Sequence, residues 1–399
     1  MASLLLALIY LCFISLGLPD SLLGSAWPTL HVEMGVPISY AGIISAIISV
    51  GTIVSSLSSA RIVAKIGAGK LTAISICLTA VALFGFSISN KFWMLILWAI
   101  PYGLGAGGVD SVLNNFVALH YKSQHMSWLH CSWGVGASLS PYIMSYALLR
   151  LSDWSQGYFI VSIIQISLSL VVFLSIPLWK KGVKQINAKT GEEKGNENNA
   201  DKNEKPVALS FKEIVKIPGA IACFITFFGY CALELSASLW ASTYLVKCKG
   251  VDAVTASAFA SLFYIGITVG RSINGFLSMK LSDKTLIRIG LSIIAIGIVL
   301  IVLPLAKPFA LAGFIIIGLG CAPVYPCIIH STPTLFGSEK SQSMIGVQMA
   351  SAYTGSLLMP PLFGIIANNI SVALLPIYLA LILVLMIFMH ERVIKRVVK

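Results

Sequence analysis

Residues 103–120 read GLGAGGVDSVLNNFVALH. Glycines at 103, 105, 107 and 108 include a small-xxx-small spacing, which lets membrane helices approach closely and bend; Gly105 is read as part of that structural, gating stripe. Asp110 then sets a carboxylate in an apolar run, where a charge at the helix centre costs about 2.5–3.5 kcal/mol on insertion scales. Sliding the chain by 215 residues lays GLGAGGVD on GLGCAPVY at 318–325, Gly35-Val36 on Gly250-Val251, and Gly51 on Gly266. A slide of 219 lays GASLSP at 136–141 on GSLLMP at 355–360. A repeat of this length implies two halves built on one plan.

The composition places both halves in lipid: 57% of residues are hydrophobic and 11% charged, and the mean hydropathy is +0.90. Crossing about 30 Å of hydrocarbon takes roughly 20 apolar residues in a helix. Twelve stretches qualify, near 3–29, 38–60, 70–89, 92–119, 126–149, 155–179, 217–246, 252–279, 285–304, 308–331, 341–368 and 371–390. The expected fold is therefore an all-α integral membrane protein with 12 transmembrane helices in two pseudo-symmetric six-helix bundles. The N-terminal bundle covers 1–179, a cytoplasmic linker 180–216, the C-terminal bundle 217–390 and a tail 391–399. The linker is charged and rich in Asn and Gly, which predicts a disordered middle, and VALSFKEIVK at 207–216 fits a short amphipathic helix on the membrane surface.

Lys and Arg are retained on the cytoplasmic side. With both termini cytoplasmic, inner loops and tail hold 21 of the 27 Lys+Arg, the outer side five, and a span only Arg271. The net charge of +12 then reflects topology and contact with anionic lipid, and implies no nucleic-acid partner. The first apolar run lacks a basic n-region and a small-residue cleavage site, so it reads as a retained span. The eight cysteines show no metal-type spacing and read as small buried hydrophobes. No cofactor or metal is expected.

Four charges lie within spans: Asp20, Asp110, Glu234 and Arg271. Asp20 follows a Gly17-Leu18-Pro19 break, where proline removes a backbone donor and opens the helix. Asp110 lies nearer the cytoplasmic end of its span, so two carboxylates at different depths of one half offer an inward proton relay. Structural readings stand beside these. Asp20 suits a helix cap at the outer surface, and Asp110 a permanent hydrogen bond with Asn114. Glu234, between Tyr230 and Ser238, suits an interhelical tie, while Arg271 is placed to snorkel inward or pair with a carbonyl. At the repeat of Asp110 stands Tyr325, which assigns the coupling acid to the first half. Pro101, and Pro323 with Pro326 in the second half, add bending points.

The fifth span opens HMSWLHCSWGVGASLSP, with His130 and Trp133 three residues apart. Sugar rings have apolar faces and polar rims, which suit an aromatic platform with amide and imidazole groups. Asn114, His130, Trp133, Tyr230, Glu234, Asn274, Tyr325, Gln348 and Tyr353 are the substrate-binding candidates. Against that, Trp128 suits an interface anchor and His130 an interfacial histidine.

These motifs carry a resemblance to the fucose:proton symporter family of the major facilitator superfamily. LGLPDSLLGSAWP resembles its first-helix pattern and places Asp20 on the family's first-helix carboxylate. GLGAGGVDSVLNNFVAL is similar to its fourth-helix pattern, placing Asp110 on the protonation carboxylate and Asn114 on the asparagine that follows. WLHCSWGVGA resembles the stretch lining the sugar cavity, with His130 and Trp133 where amide side chains stand in the family. GYCALELSASLW and VGRSINGFL resemble the Tyr-x-x-x-Glu seventh helix and Gly-Arg eighth helix of some branches. The superfamily's inner-loop signature is altered to ARIVAKIGAGK, with Ala64 where its aspartate belongs, so an inner gate held by basic loop residues is expected.

The resemblance implies secondary active transport of a small polar solute, a sugar first, by alternating access with proton symport. The expected setting is a monomer in the plasma membrane, its partners the solute, protons and lipid. Competing readings are a proton-coupled efflux antiporter for amphipathic compounds, a sodium-coupled sugar symporter and a non-translocating membrane receptor. An enzyme is not expected, since no phosphate loop, nucleophile elbow or zinc spacing occurs.

Overall fold

Hydrocarbon offers no partner for backbone N–H and C=O groups, so a spanning chain must satisfy them within helices. The computed structural model describes residues 2–37, 40–179, 208–251, 253–303 and 306–397, and its regular elements are helical. They are α1 (Ala2–Gly17), α2 (Leu22–Glu33), α3 (Ala41–Ile66), α4 (Ala68–Ser87), α5 (Phe92–His120), α6 (Ser123–Tyr146) and α7 (Trp154–Leu174). After the linker come α8 (Phe211–Ile214), α9 (Ala220–Lys249), α10 (Ala253–Leu277), α11 (Asp283–Val302), α12 (Lys307–Phe336), α13 (Ser341–Asn369) and α14 (Leu375–Val397).

Among the described residues, 10 helical stretches are long and apolar enough to cross a membrane, α1 and α2 together forming the first. Helices α6 and α10 occupy the expected fifth and eighth places but fall outside those ten. Ser123, Gln124, His125, Ser127, His130, Ser132, Ser138 and Ser140 make α6 polar along much of its length. Most of the expected linker lies outside the described residues. The surface helix predicted near 207–216 is a single turn, Phe211–Ile214, closed by a capping box in which Ser210 and Glu213 bind each other's backbone amides.

The chain forms two compact units. The first holds 1–120, 132–209 and 338–346; the second holds 121–131, 210–337 and 347–399. Helices α6 and α13 are thus each divided, their first turns belonging to a different unit from the rest. In the first unit α5 packs on α3 and α4, and α7 on α4. The opening glycines explain the contact. A Cβ on Gly103 would strike the backbone of Ile48 in α3, and one on Gly105 would strike Ser75 and Thr79 in α4. The second unit repeats the device: at Gly318 a Cβ would meet Phe263 of α10, and at Gly320 it would meet Gly290 of α11. Lipid is as apolar as leucine, so such close packing and interhelical hydrogen bonds hold these helices together.

The core of the first unit joins Leu22, Trp27 and Leu30 of α2 to Ile44, Leu83, Phe86, Tyr102, Trp154 and Tyr158. That core fixes α2 against α4, α5 and α7. It thereby fixes the chain that precedes α2, Leu18 to Ser21.

Candidate functional site

The first span is interrupted where Pro19 predicts. Helix α1 ends at Gly17 and α2 starts at Leu22, with the Asp20 amide bonded to the Gly17 carbonyl at 3.2 Å in a tighter turn. Asp20 stands in this break and is exposed at the protein surface. Trp133 of α6 donates its indole Nε1 to Asp20 Oδ2 at 2.7 Å, and Tyr102 of α5 points its hydroxyl at Oδ1 at 3.4 Å. Asp110 is within electrostatic reach of Asp20. Its own side chain is buried, and Asn114 Nδ2 donates to Asp110 Oδ1 at 2.8 Å and to its carbonyl at 2.9 Å. The two acids therefore differ: one is exposed and held by donors from two other helices, while the other is buried and bonded by Asn114 of its own helix.

The second unit gathers a different group. The His130 ring packs edge-on against Tyr325 with centroids 4.5 Å apart, and Tyr325 also meets Phe227 at 4.6 Å and Tyr230 at 5.7 Å. Arg271 is buried and interacts electrostatically with Tyr230, Glu234 and Tyr325. Glu234 is half-buried. An aromatic wall beside a buried guanidinium and carboxylate can stack on a ring and hydrogen-bond its rim.

Other predicted residues are placed elsewhere. Gln348 is fully buried and spent on Cys223 Sγ at 3.0 Å and Thr332 Oγ1 at 2.9 Å. Asn274 donates to Ser127 Oγ at 2.7 Å, leaving its buried Oδ1 without a hydrogen-bond partner among the described residues. Tyr353 is half-buried on α13, and Pro323 is buried inside α12, where a Cβ on Gly290 would touch its ring. His130 and Trp133, expected to face the same way, have separate partners, Tyr325 and Asp20.

The sequence reading missed Tyr102 and Phe227, whose apolar neighbours carry no signal of a site. It also missed Gln342, which in the first unit donates to Ser59 Oγ at 3.1 Å and Ser111 Oγ at 3.2 Å. Beside it Ser341 donates to Asn115 Oδ1 at 2.6 Å. Neutral hydrogen bonds from Ser341 and Gln342 join the Ser338–Gly346 segment to that unit. In the second unit His330 faces Asp283 at 2.6 Å and the Tyr121 carbonyl at 3.1 Å, and Ser123 also bonds Asp283.

The family model of the Major Facilitator Superfamily matches residues 9–329 and, in a second match, 249–398. The chain is 23% identical over 390 residues to Bypass of stop codon protein 6 of Saccharomyces cerevisiae, covering 92% of this chain and 77% of that protein. It is 20% identical over 312 residues to the glucose/mannose transporter GlcP of Bacillus subtilis, covering 75% and 72%. Among solved structures, the E. coli fucose:proton symporter FucP matches with a TM-score of 0.72 at 15% identity, covering 97% of this chain and 98% of that one.

Proposed function

Because the chain belongs to the Major Facilitator Superfamily and is a multi-pass membrane transporter of that fold, we propose that it carries a small polar solute, a sugar, by proton symport. The observation that carries this reading is Asp20: an accessible carboxylate in a helix break, hydrogen-bonded by Trp133 and Tyr102. An acid held by neutral donors, as Asp20 is among the described residues, can take up and release a proton without dismantling a salt bridge. Asp110, buried in the same unit, is the second proton group, with Asn114 as its fixed partner.

Sugar as the solute is favoured by the aromatic wall of Phe227, Tyr230, Tyr325 and His130 beside Arg271 and Glu234. Two of the proteins this chain resembles are a glucose/mannose transporter and a fucose:proton symporter. Gly105, Pro323 and Arg271 serve packing and gating, and the chain is a monomer in the plasma membrane with both termini cytoplasmic. Transport proceeds by alternating access of two six-helix bundles, 1–179 and 217–390, and a proton drives the switch only as far as its affinity differs between the two states.

The test is uptake in proteoliposomes loaded with a pH dye, across neutral hexoses, deoxyhexoses and disaccharides. Sugar-dependent acidification of the lumen, absent in Asp110→Asn, is expected. Sugar uptake that follows a sodium gradient and leaves the dye unchanged would replace the proton by sodium; silence across the panel with folded protein would remove the sugar assignment.

A further inference from the structure

Proline at position 19 has no N–H, so the carbonyl four residues earlier, that of Ser15, loses its helical partner. Ser15 is buried at 3% exposure, and an orphaned carbonyl there would be costly. Gln165 of α7 supplies the missing donor. Its Nε2 lies 2.7 Å from the Ser15 carbonyl, and its Oε1 accepts from Thr79 Oγ1 of α4 at 2.8 Å. A carbonyl only accepts, so the amide orientation is settled by chemistry: Nε2 must face Ser15. Gln165 is itself 1% exposed, an uncharged polar side chain deep in a span that nothing in the coupling scheme above employs. Beside it a cavity of about 10 Å³ is lined by Ser15, Pro19, Thr79, Gln165 and Tyr102, the residue whose hydroxyl points at Asp20.

We propose that Gln165 is a positioning residue for Asp20: by replacing the amide that Pro19 lacks, it holds the break in the first span at the register that sets the Asp20 carboxylate against the Trp133 indole. The inference rests on the reading of Asp20 as a proton-exchanging group. The Gln165 amide is hydrogen-bonded to Ser15 and Thr79, not to Asp20. It acts through the Ser15 carbonyl, and Thr79 fixes the amide from its other end.

The experiment uses the full chain in nanodiscs, labelled with 5-fluorotryptophan and followed by fluorine NMR as pH is varied, with the Trp133 resonance assigned by Trp133→Phe. In the wild type that resonance titrates, and Asp20→Asn abolishes the titration. In Gln165→Leu and in Gln165→Met, which keeps an unbranched chain, the titrating amplitude falls about twofold or more, because the carboxylate is no longer held at the indole. Ser169→Ala is the control for loosening of α7, since Ser169 bonds the Ala73 carbonyl of α4 at 3.1 Å. It leaves the titration as in the wild type. An unchanged titration in both Gln165 variants, or an equal loss in Ser169→Ala, overturns the assignment of Gln165 alone. A wild-type resonance that does not titrate, or one that still titrates in Asp20→Asn, overturns the reading of Asp20 and this inference with it.

Discussion

Asp20 and Asp110 share a unit and a chemistry yet differ in what a substitution would disturb. At Asp110 the side-chain acceptor of the Asn114 amide is Oδ1, which asparagine would also present, and the amide's other acceptor is the backbone carbonyl of residue 110. Asp110→Asn should therefore leave the thermal unfolding midpoint near that of the wild type. Asp110→Leu removes the side-chain one of the two acceptors of a buried amide and should cost about 1 kcal/mol. If both variants unfold alike, the Asn114 bond contributes nothing to stability. Both acids were legible in the sequence because a charge in a span is rare. Their partners were not equally so: Asn114 lies one turn away on the same helix, whereas Tyr102 and Trp133 reach Asp20 across 82 and 113 residues of chain. No local pattern encodes that meeting; only the packing of α2, α5 and α6 brings it about.

Helix termini and helix contacts set the next scale. Asp153 caps α7, accepting from the Ser155 amide at 2.8 Å and the Ser155 hydroxyl at 2.6 Å. Partial burial works against its charge, but the Ser155 and Gln156 hydrogen bonds prevail and hold its carboxyl below the usual range. Since its folded value is depressed, its contribution is complete above the unfolded value of about 4 and fades as pH falls through the lowered one. Asp153→Ala should destabilise by about 0.5–2 kcal/mol near neutrality, and the gap between the two melting curves should close in acid; a gap independent of pH would remove the cap from the account. At Gly103 the constraint is steric. Leucine there would push α5 off the backbone of Ile48, and overpacking of this kind costs about 1–3 kcal/mol or more. A Gly103→Leu protein as stable as the wild type would mean that α3 and α5 do not approach as closely as described.

The helices and ten apolar spans were readable at this scale because hydropathy and glycine spacing are local properties. The interruption of the first span was readable too, from Pro19. The division of α6 and α13 was not, since each is continuous in sequence while its first turns are held by partners such as Asn274, Ser59 and Ser111 far along the chain. Gln342, an uncharged residue with nothing unusual around it in sequence, supplies bonds that hold the start of α13 in the first unit.

For the whole molecule, a duplicated membrane fold carries an exposed acid, Asp20, at the break in its first span. The repeat gives each unit a glycine-packed central helix, α5 or α12, but only α5 carries an acid at the matching place, and α12 carries Tyr325 within an aromatic cluster. On the proposed reading, that asymmetry gives proton handling to the first half and ring recognition to the second. Coupling requires that the proton change which state the carrier prefers. A carrier with its acid neutralised for good should still exchange solute down a gradient, because exchange does not require the proton to leave.

The measurement that meets this claim most directly compares Asp20→Asn with the wild type in proteoliposomes, for a sugar found to be transported, in two modes. Counterflow driven by trapped sugar should persist in the variant, while accumulation driven by an imposed pH gradient should be lost. An Asp20→Asn protein that still accumulates sugar against its gradient under a proton gradient would contradict the account.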